Sequence, residues 1–387
     1  MPVVNRIAEF AKDIAAWRRH LHAHPELGLD CHQTAAFVVQ RLREMGVDEI
    51  HEGIAQTGVV AMIRGQGAGP TTGLRADMDA LPMQEATGVE HASTVAGRMH
   101  ACGHDGHTAM LLGAARYLSE TRKFSGSVAL IFQPAEETIG GGRIMVEEGM
   151  MERFGIDEVY ALHTDPFAPL GEFRTRSGPL MAAVDDWQIT VTGFGGHAAY
   201  PNTCRDPMMA ALGIGQALQT IVSRNSDPLD PLVVSITQIH GGSAMNITPE
   251  TVTLSGTVRS FSAANRDLAE TRMTQIVEGQ AAAFGVVGSV AYQRNYPPTI
   301  NHDTQTVKAA DVAEEIVGAD RVTRDYPPEM GAEDFSYMLE RRPGAFLFLG
   351  QGIGPSVHHP EFDFNDEAAP IGASFFARLI ERLQPVS

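Results

Sequence analysis

Positive charge is scarce in this sequence. Its 387 residues hold 29 Lys and Arg against 47 Asp and Glu, a formal net charge of -18. A surface of that sign repels phosphate backbones and anionic lipid, which disfavours nucleic-acid and membrane-surface binding. Cysteine is sparse too: Cys31, Cys102 and Cys204 are an odd set, too few for a disulfide scaffold and suited to a reducing cytoplasm. No stretch approaches the roughly 20 apolar residues of a membrane helix. Met1 to Phe10 lacks a charged start followed by a long apolar core, so no signal peptide is expected. Internal repeats and low-complexity segments are also missing. What remains is an ordinary globular balance, 43% hydrophobic and 20% charged. The length exceeds the usual limit for one hydrophobic core and predicts two domains. The expectation is a cytoplasmic enzyme or binding protein.

Hydrophobic periodicity organises the chain. The first forty-five residues read as helix, with Ile7, Phe10, Ile14, Trp17 and Leu21 recurring at three and four, and Thr34 to Met45 repeating the pattern. Short apolar runs follow at Val59 to Ile63, Thr72 to Arg75, Ser127 to Phe132 and Val159 to Leu162. They alternate with helical stretches at Gly106 to Leu118 and Gly142 to Glu148. That alternation predicts a mainly parallel sheet with helices on both faces. From Trp187 the order becomes strand, helix, two strands, helix, strand, which is the ferredoxin-like pattern. A helix near Thr304 to Val317 and a strand at Ala345 to Leu349 resume the first texture. The expected architecture is an α/β catalytic domain (residues 1–183 and 295–387) interrupted by a smaller ferredoxin-like α+β lid or dimerisation domain (184–294).

Chemistry concentrates beyond the strands. Met99-His-Ala-Cys-Gly-His-Asp-Gly-His107 packs three imidazoles and the thiol of Cys102 into one loop that leads into a helix. A helix N-terminus should lower the pKa of that thiol and favour a thiolate ligand. The bland alternative is a glycine-rich turn with incidental histidines. In Gln133-Pro-Ala-Glu-Glu137 the adjacent carboxylates point in opposite directions, so one can bind metal while the other serves as general base. Taken alone, the pair reads equally as an acidic helix start. His163 ends a strand, Asp77 and Asp79 follow another, and His358-His359-Pro360 lies beyond the strand ending at Leu349. Sites in open α/β sheets form beyond the carboxyl ends of strands. The groups therefore converge on one edge, offering nitrogen, sulfur and carboxylate donors suited to zinc, manganese, cobalt or nickel.

Four ordered motifs, Arg75-Ala-Asp-Met-Asp-Ala-Leu-Pro82, His100-Ala-Cys-Gly-His-Asp105, Gln133-Pro-Ala-Glu-Glu137 and His358-His-Pro360, give the chain a family likeness. It resembles the hippurate hydrolase and auxin-conjugate amidohydrolase branch of the dinuclear metallopeptidase-like family, which includes acetylornithine deacetylase and bacterial carboxypeptidases. The likeness runs from about Trp17 to Arg382. It implies two divalent metal ions per subunit, with Cys102 bridging them, His104 and His163 completing one shell, and Glu137 and His358 on the other. It selects His358 over His359, leaves Glu136 as the base, and makes Asp77 and Asp79 residues that orient the ligands. Gly195-Gly-His197-Ala-Ala-Tyr-Pro201 resembles the family's histidine loop, which approaches the active site, often from a dimer partner. Asn246 and Arg259 match substrate-binding positions, although Arg259 could equally form a structural ion pair.

The implied reaction splits an N-acyl amino acid (hippurate-like, N-acetyl or indole-acyl) into a carboxylic acid and a free amino acid. Glu136 would move the proton, and His197 would stabilise the oxyanion. The alternatives are an N-acetyl-diaminopimelate-type deacetylase, a non-catalytic metal-binding homologue, and a thiol enzyme using Cys102 with His104. The expected partner is a small-molecule substrate, with a homodimer or higher homo-oligomer plausible through the inserted domain.

Overall fold

The structure is a computed structural model that describes residues 3–386; Met1, Pro2 and Ser387, which end the segments read above, lie outside the described residues. The chain divides into two compact units. One comprises Met1–Leu180, Ile300–Pro327 and Asp334–Ser387; the other comprises Met181–Thr299 and Pro328–Glu333. The second unit is wider than the 184–294 insertion expected and takes in a short return of the chain at 328–333.

The first unit is built on an eight-stranded sheet. Its strands are β1 (Glu49–Ile54), β2 (Gly58–Arg64), β3 (Thr71–Asp77), β4 (Ser127–Gln133), β5 (Glu158–Asp165) and β6 (Phe173–Arg174). In the second unit β7 (Ala183–Thr192), β8 (Leu232–Gly241), β9 (Thr251–Ser260) and β10 (Val287–Arg294) follow, before the first unit resumes with β11 (Val322–Thr323) and β12 (Gly344–Gly350). The large sheet runs β1-β2-β4-β3-β5-β12-β6-β11. Its centre, β4-β3-β5-β12, is parallel, and the antiparallel pairings lie towards the edges. The central strands are buried nearly end to end, as strands covered on both faces must be.

Helices α1 (Ala11–Ala23), α2 (His32–Met45), α3 (His104–Thr121), α6 (Asp303–Val317) and α7 (Ala369–Leu383) supply the covering layers; α4 (Pro207–Thr220) and α5 (Ala263–Ala283) belong to the second unit. The N-terminal forty-five residues are not one helix. The chain leaves α1 at His24, passes Pro25 and turns at Gly28, whose φ is +55°. Glu26 then accepts from the amides of Gln33 and Thr34, satisfying the first N–H groups of α2. α3 is buried along almost its whole length and shares one core with α2, α6 and α7. Neither β1 nor α7 was expected from the sequence.

The second unit has its own core around Trp187, Ile189, Ile214, Leu254 and Val277. Its antiparallel sheet runs β8-β9-β7-β10 with α4 and α5 as the connecting helices, the ferredoxin-like order. Asp206 and Ser262 cap α4 and α5 by accepting from Met208 N and Asn265 N. Among the described residues no helix is long and apolar enough to cross a membrane.

Candidate metal centre

The carboxyl ends of the parallel strands gather the chemistry of the first unit. Asp77 closes β3 opposite Gln133, the last residue of β4, and His163 lies near the end of β5 opposite Phe348 of β12. Cys102 and His104 arrive from the start of α3, with Gly103 at φ +83° between them. Glu136 and Glu137 follow β4 after Ala135, which is held at φ +60°. His358 is also left-handed, at φ +63°. Two non-glycine residues in this strained region flank the same cluster, as happens where a site rather than the backbone sets the geometry.

Two donor sets form. The ligand atoms of Cys102, His104 and His163 lie within 4.8 Å of one another, and so do those of Cys102, Glu137 and His358. Cys102 is common to both. Its Sγ is 3.4 Å from His163 Nε2, and Glu137 Oε1 is 3.2 Å from His358 Nε2 and 3.9 Å from His104 Nε2. The other ring nitrogens are spoken for. His104 Nδ1 donates to the Asp79 carbonyl at 2.8 Å, and His163 Nδ1 donates to the Thr164 carbonyl at 2.8 Å. Both imidazoles therefore turn Nε2 towards the cluster, the arrangement that readies a histidine for metal.

The residues present fit a cation. His104 Nε2 is buried without a hydrogen-bond partner, and Glu137 Oε1 meets His358 Nε2 only outside hydrogen-bond geometry, a cost that a bound ion would remove. The electrostatics agree. Burial opposes a charge on His104, but Asp77, Asp79 and Glu137 outweigh it and raise its pKa to about 10. Burial, aided by the charges of His104 and Arg75 and opposed by Asp77, pushes the His163 imidazole down to about 4 and hence neutral. The helix N-terminus does not lower the Cys102 thiol as expected. Burial, together with the charges of Glu137, Glu136 and Asp77, lifts it well above the usual range. Burial first and the three carboxylates second oppose the anion, so a thiolate here requires positive charge beside it.

Asp77 and Asp79 stand behind the donors. The Asp79 carboxylate accepts from Glu136 N at 2.9 Å and Glu137 N at 3.1 Å, so one residue fixes the turn of both glutamates and the ring of His104. Asp77 accepts from His107 Nδ1 at 2.6 Å and from Arg75 Nη1 at 2.7 Å. His107 Nε2 in turn accepts from Thr164 N at 2.9 Å. His107 thus has both nitrogens occupied and is a brace for β5. Arg75 also reaches Gln133 and Asp334 inside the core. Sequence motifs alone give His107, Gln133 and Asp334 no role. His107 lies within the histidine-rich loop, yet only its two partners, distant in sequence, reveal what it does.

His359 is exposed, and its Nδ1 accepts from Glu361 N in a local turn. The remaining predicted residues belong to the second unit. His197 pairs with Ile247, is exposed, and accepts from Ala199 N through Nδ1. Asn246 lies beside this loop, its carbonyl accepting from Ala198 N. Arg259 is half-buried, and desolvation lowers its pKa against the pull of Asp186 and Asp185. It sits eight residues along β9 from Thr251, the end near Thr248, so roughly 27 Å of strand separates it from His197 and Asn246.

Residues 73–382 match the sequence model of peptidase family M20/M25/M40, a span that holds every donor described above. The chain belongs to this family. M20 relatives resemble it over nearly their full length. An N-acetyl-L-cysteine deacetylase of Bacillus subtilis (strain 168) is 41% identical, over 96% of this chain and 88% of that protein. A hippurate hydrolase of Campylobacter jejuni is 38% identical over 98% of both. Among solved structures, the M20 peptidase YXEP of Bacillus subtilis, described as dinuclear metal-binding, is 34% identical. It superimposes with a TM-score of 0.87 over 97% of this chain and 98% of its own.

Proposed function

We propose that this protein is a metal-dependent amidohydrolase that cleaves N-acyl amino acids to a carboxylic acid and a free amino acid. The observation that carries the proposal is the pair of donor sets sharing Cys102, with a further carboxylate, Glu136, at hand. Cys102, His104 and His163 would hold one divalent ion, and Cys102, Glu137 and His358 a second. Thiolate, imidazole and carboxylate donors suit manganese or zinc, with cobalt or nickel compatible. Bound there, such a pair supplies Lewis acidity, polarising the amide carbonyl and lowering the pKa of water.

The chain's own residues do the rest. Glu136 takes a proton from water and hands it to the leaving nitrogen. Asp79 holds Glu136 and Glu137 at different angles by binding both of their amides, so the base and the ligand keep separate tasks. His197 stabilises the developing oxyanion, while Asn246 and Arg259 bind the substrate amide and carboxylate. The separation of Arg259 from His197 and Asn246 within one unit supports a homodimer in which these residues serve different copies' sites. The unpaired edge of β8, with Ile239 exposed, is a candidate contact. The free state of Cys31, Cys102 and Cys204 suits the cytoplasm, where we assign the protein.

The test is a panel of hippurate, N-acetylcysteine, N-acetyl-diaminopimelate and indole-acyl amino acids, assayed for amino-acid release with each metal. Activity on at least one N-acyl amino acid, abolished by chelator and restored by metal, is expected. Turnover that survives complete metal removal would instead favour a thiol mechanism at Cys102.

A further inference from the structure

We infer that Arg18 is a positioning residue for the metal centre, fixing the segment of Cys102 and His104 against the segment of His358. The inference rests on the metal-centre reading and concerns residues that reading leaves out. Arg18 lies on α1 with its side chain fully buried. A buried guanidinium is costly unless its charge and N–H groups are met. Here the charge is met by Asp105, whose Oδ2 lies 2.9 Å from Nε as an ion pair without hydrogen-bond geometry, while Nη2 donates to Asp363 Oδ1 and Nη1 lies 2.8 Å from His91 Nε2 and 3.5 Å from Asp366 Oδ1. Asp105 directly follows His104, and Asp363 and Asp366 belong to the segment that begins at His358.

One side chain therefore spans two stretches of chain far apart in sequence. Those stretches also touch directly, for His358 N donates to the Ala101 carbonyl at 2.7 Å. In the proposed scheme His104 serves one ion, His358 the other, and Cys102 both. The spacing of the two stretches then sets how well both donor sets close at once. Removing the arginine alone takes a cation from the fully buried Asp105 carboxylate and costs stability in itself, so metal affinity is the readout that separates positioning from stabilisation. A planar guanidinium holds its charge beside Asp105 while aiming Nη2 at Asp363 in a fixed direction.

The experiment compares the full-length wild type with Arg18→Met, Arg18→Lys and Asp363→Asn, each loaded with manganese or zinc. Metal per chain and competition against a chelator are read beside circular dichroism and thermal unfolding. Arg18→Met and Asp363→Asn are expected to fold and to bind metal on the order of 10- to 100-fold more weakly, the usual effect of losing a ligand's supporting partner. Arg18→Lys should fall between them and wild type. Val38→Ala, a fully buried change on α2 outside this network, should lower the unfolding temperature yet keep wild-type metal affinity. Wild-type affinity in folded Arg18→Met and Asp363→Asn would overturn the inference. Should Arg18→Met not fold, Asp363→Asn decides, since its carboxylate is partly exposed. A wild type that binds no metal would sink the metal reading itself, and the inference with it, which is a different result.

Discussion

His22 shows how much charge lies hidden behind the ligands. Its ring is buried between Asp105, 2.8 Å from Nδ1, and Glu85, 3.3 Å from Nε2. Burial opposes its charge, but Asp105 and Glu85 prevail and raise its pKa from 6.5 to about 9. A group whose folded pKa is raised contributes stability that is complete below 6.5 and is lost as pH climbs through about 9. Glu85 behaves in the opposite sense. Despite burial, bonds from His22, Thr87 and Ser93 hold it down at about 2, so its contribution is complete above 4.5 and fades as pH falls towards 2. Thermal unfolding of His22→Gln should therefore show a flatter alkaline limb between 6.5 and 9 than wild type; identical limbs would contradict the assignment. Glu136→Gln belongs to the same scale. It should keep its metal and lose roughly 10²–10⁴ in turnover, the usual share of a general acid-base group.

Helices and strands explain which parts could be read in advance. The central strands were legible because β4 and β12 are continuous apolar runs that only a doubly covered sheet accommodates. The start of α3 was placed two residues late, since Gly103 caps it without a side-chain signal. β1 escaped because Glu49, Glu52 and its other edge positions show no apolar alternation. The proposed ligands stand out as motifs, whereas the braces do not. Arg18, His107 and Asp334 act through partners that no local pattern predicts. Glycine at 106 tests the helix packing directly. A Cβ there would sit 2.4 Å from the buried Phe364 ring, so Gly106→Ala should cost about 1–3 kcal/mol. At Gly279, inside α5, a Cβ meets nothing within 4 Å, and alanine should stabilise by roughly 0.5–1 kcal/mol. Chemical unfolding of the two variants should move in opposite directions, and a shared direction would count against this packing.

For the whole molecule, the question is what one chain can do alone. The second unit holds His197 and Asn246 at one end of its sheet and Arg259 at the other. If two copies cooperate, mixing Glu136→Gln with His197→Ala under exchange conditions should regain activity, because hybrid dimers contain one site with neither defect. No recovery from subunits shown to exchange would mean that each copy works with its own histidine. Beneath this lies the shared thiol, first legible only as an unusual cysteine among histidines and now common to both donor sets. The most direct measurement is the metal-to-protein ratio of wild type and Cys102→Ala after equilibration with manganese or zinc. We expect two ions per wild-type chain and loss of both from the variant at the same free metal. A variant that still holds two ions would contradict a centre built on Cys102.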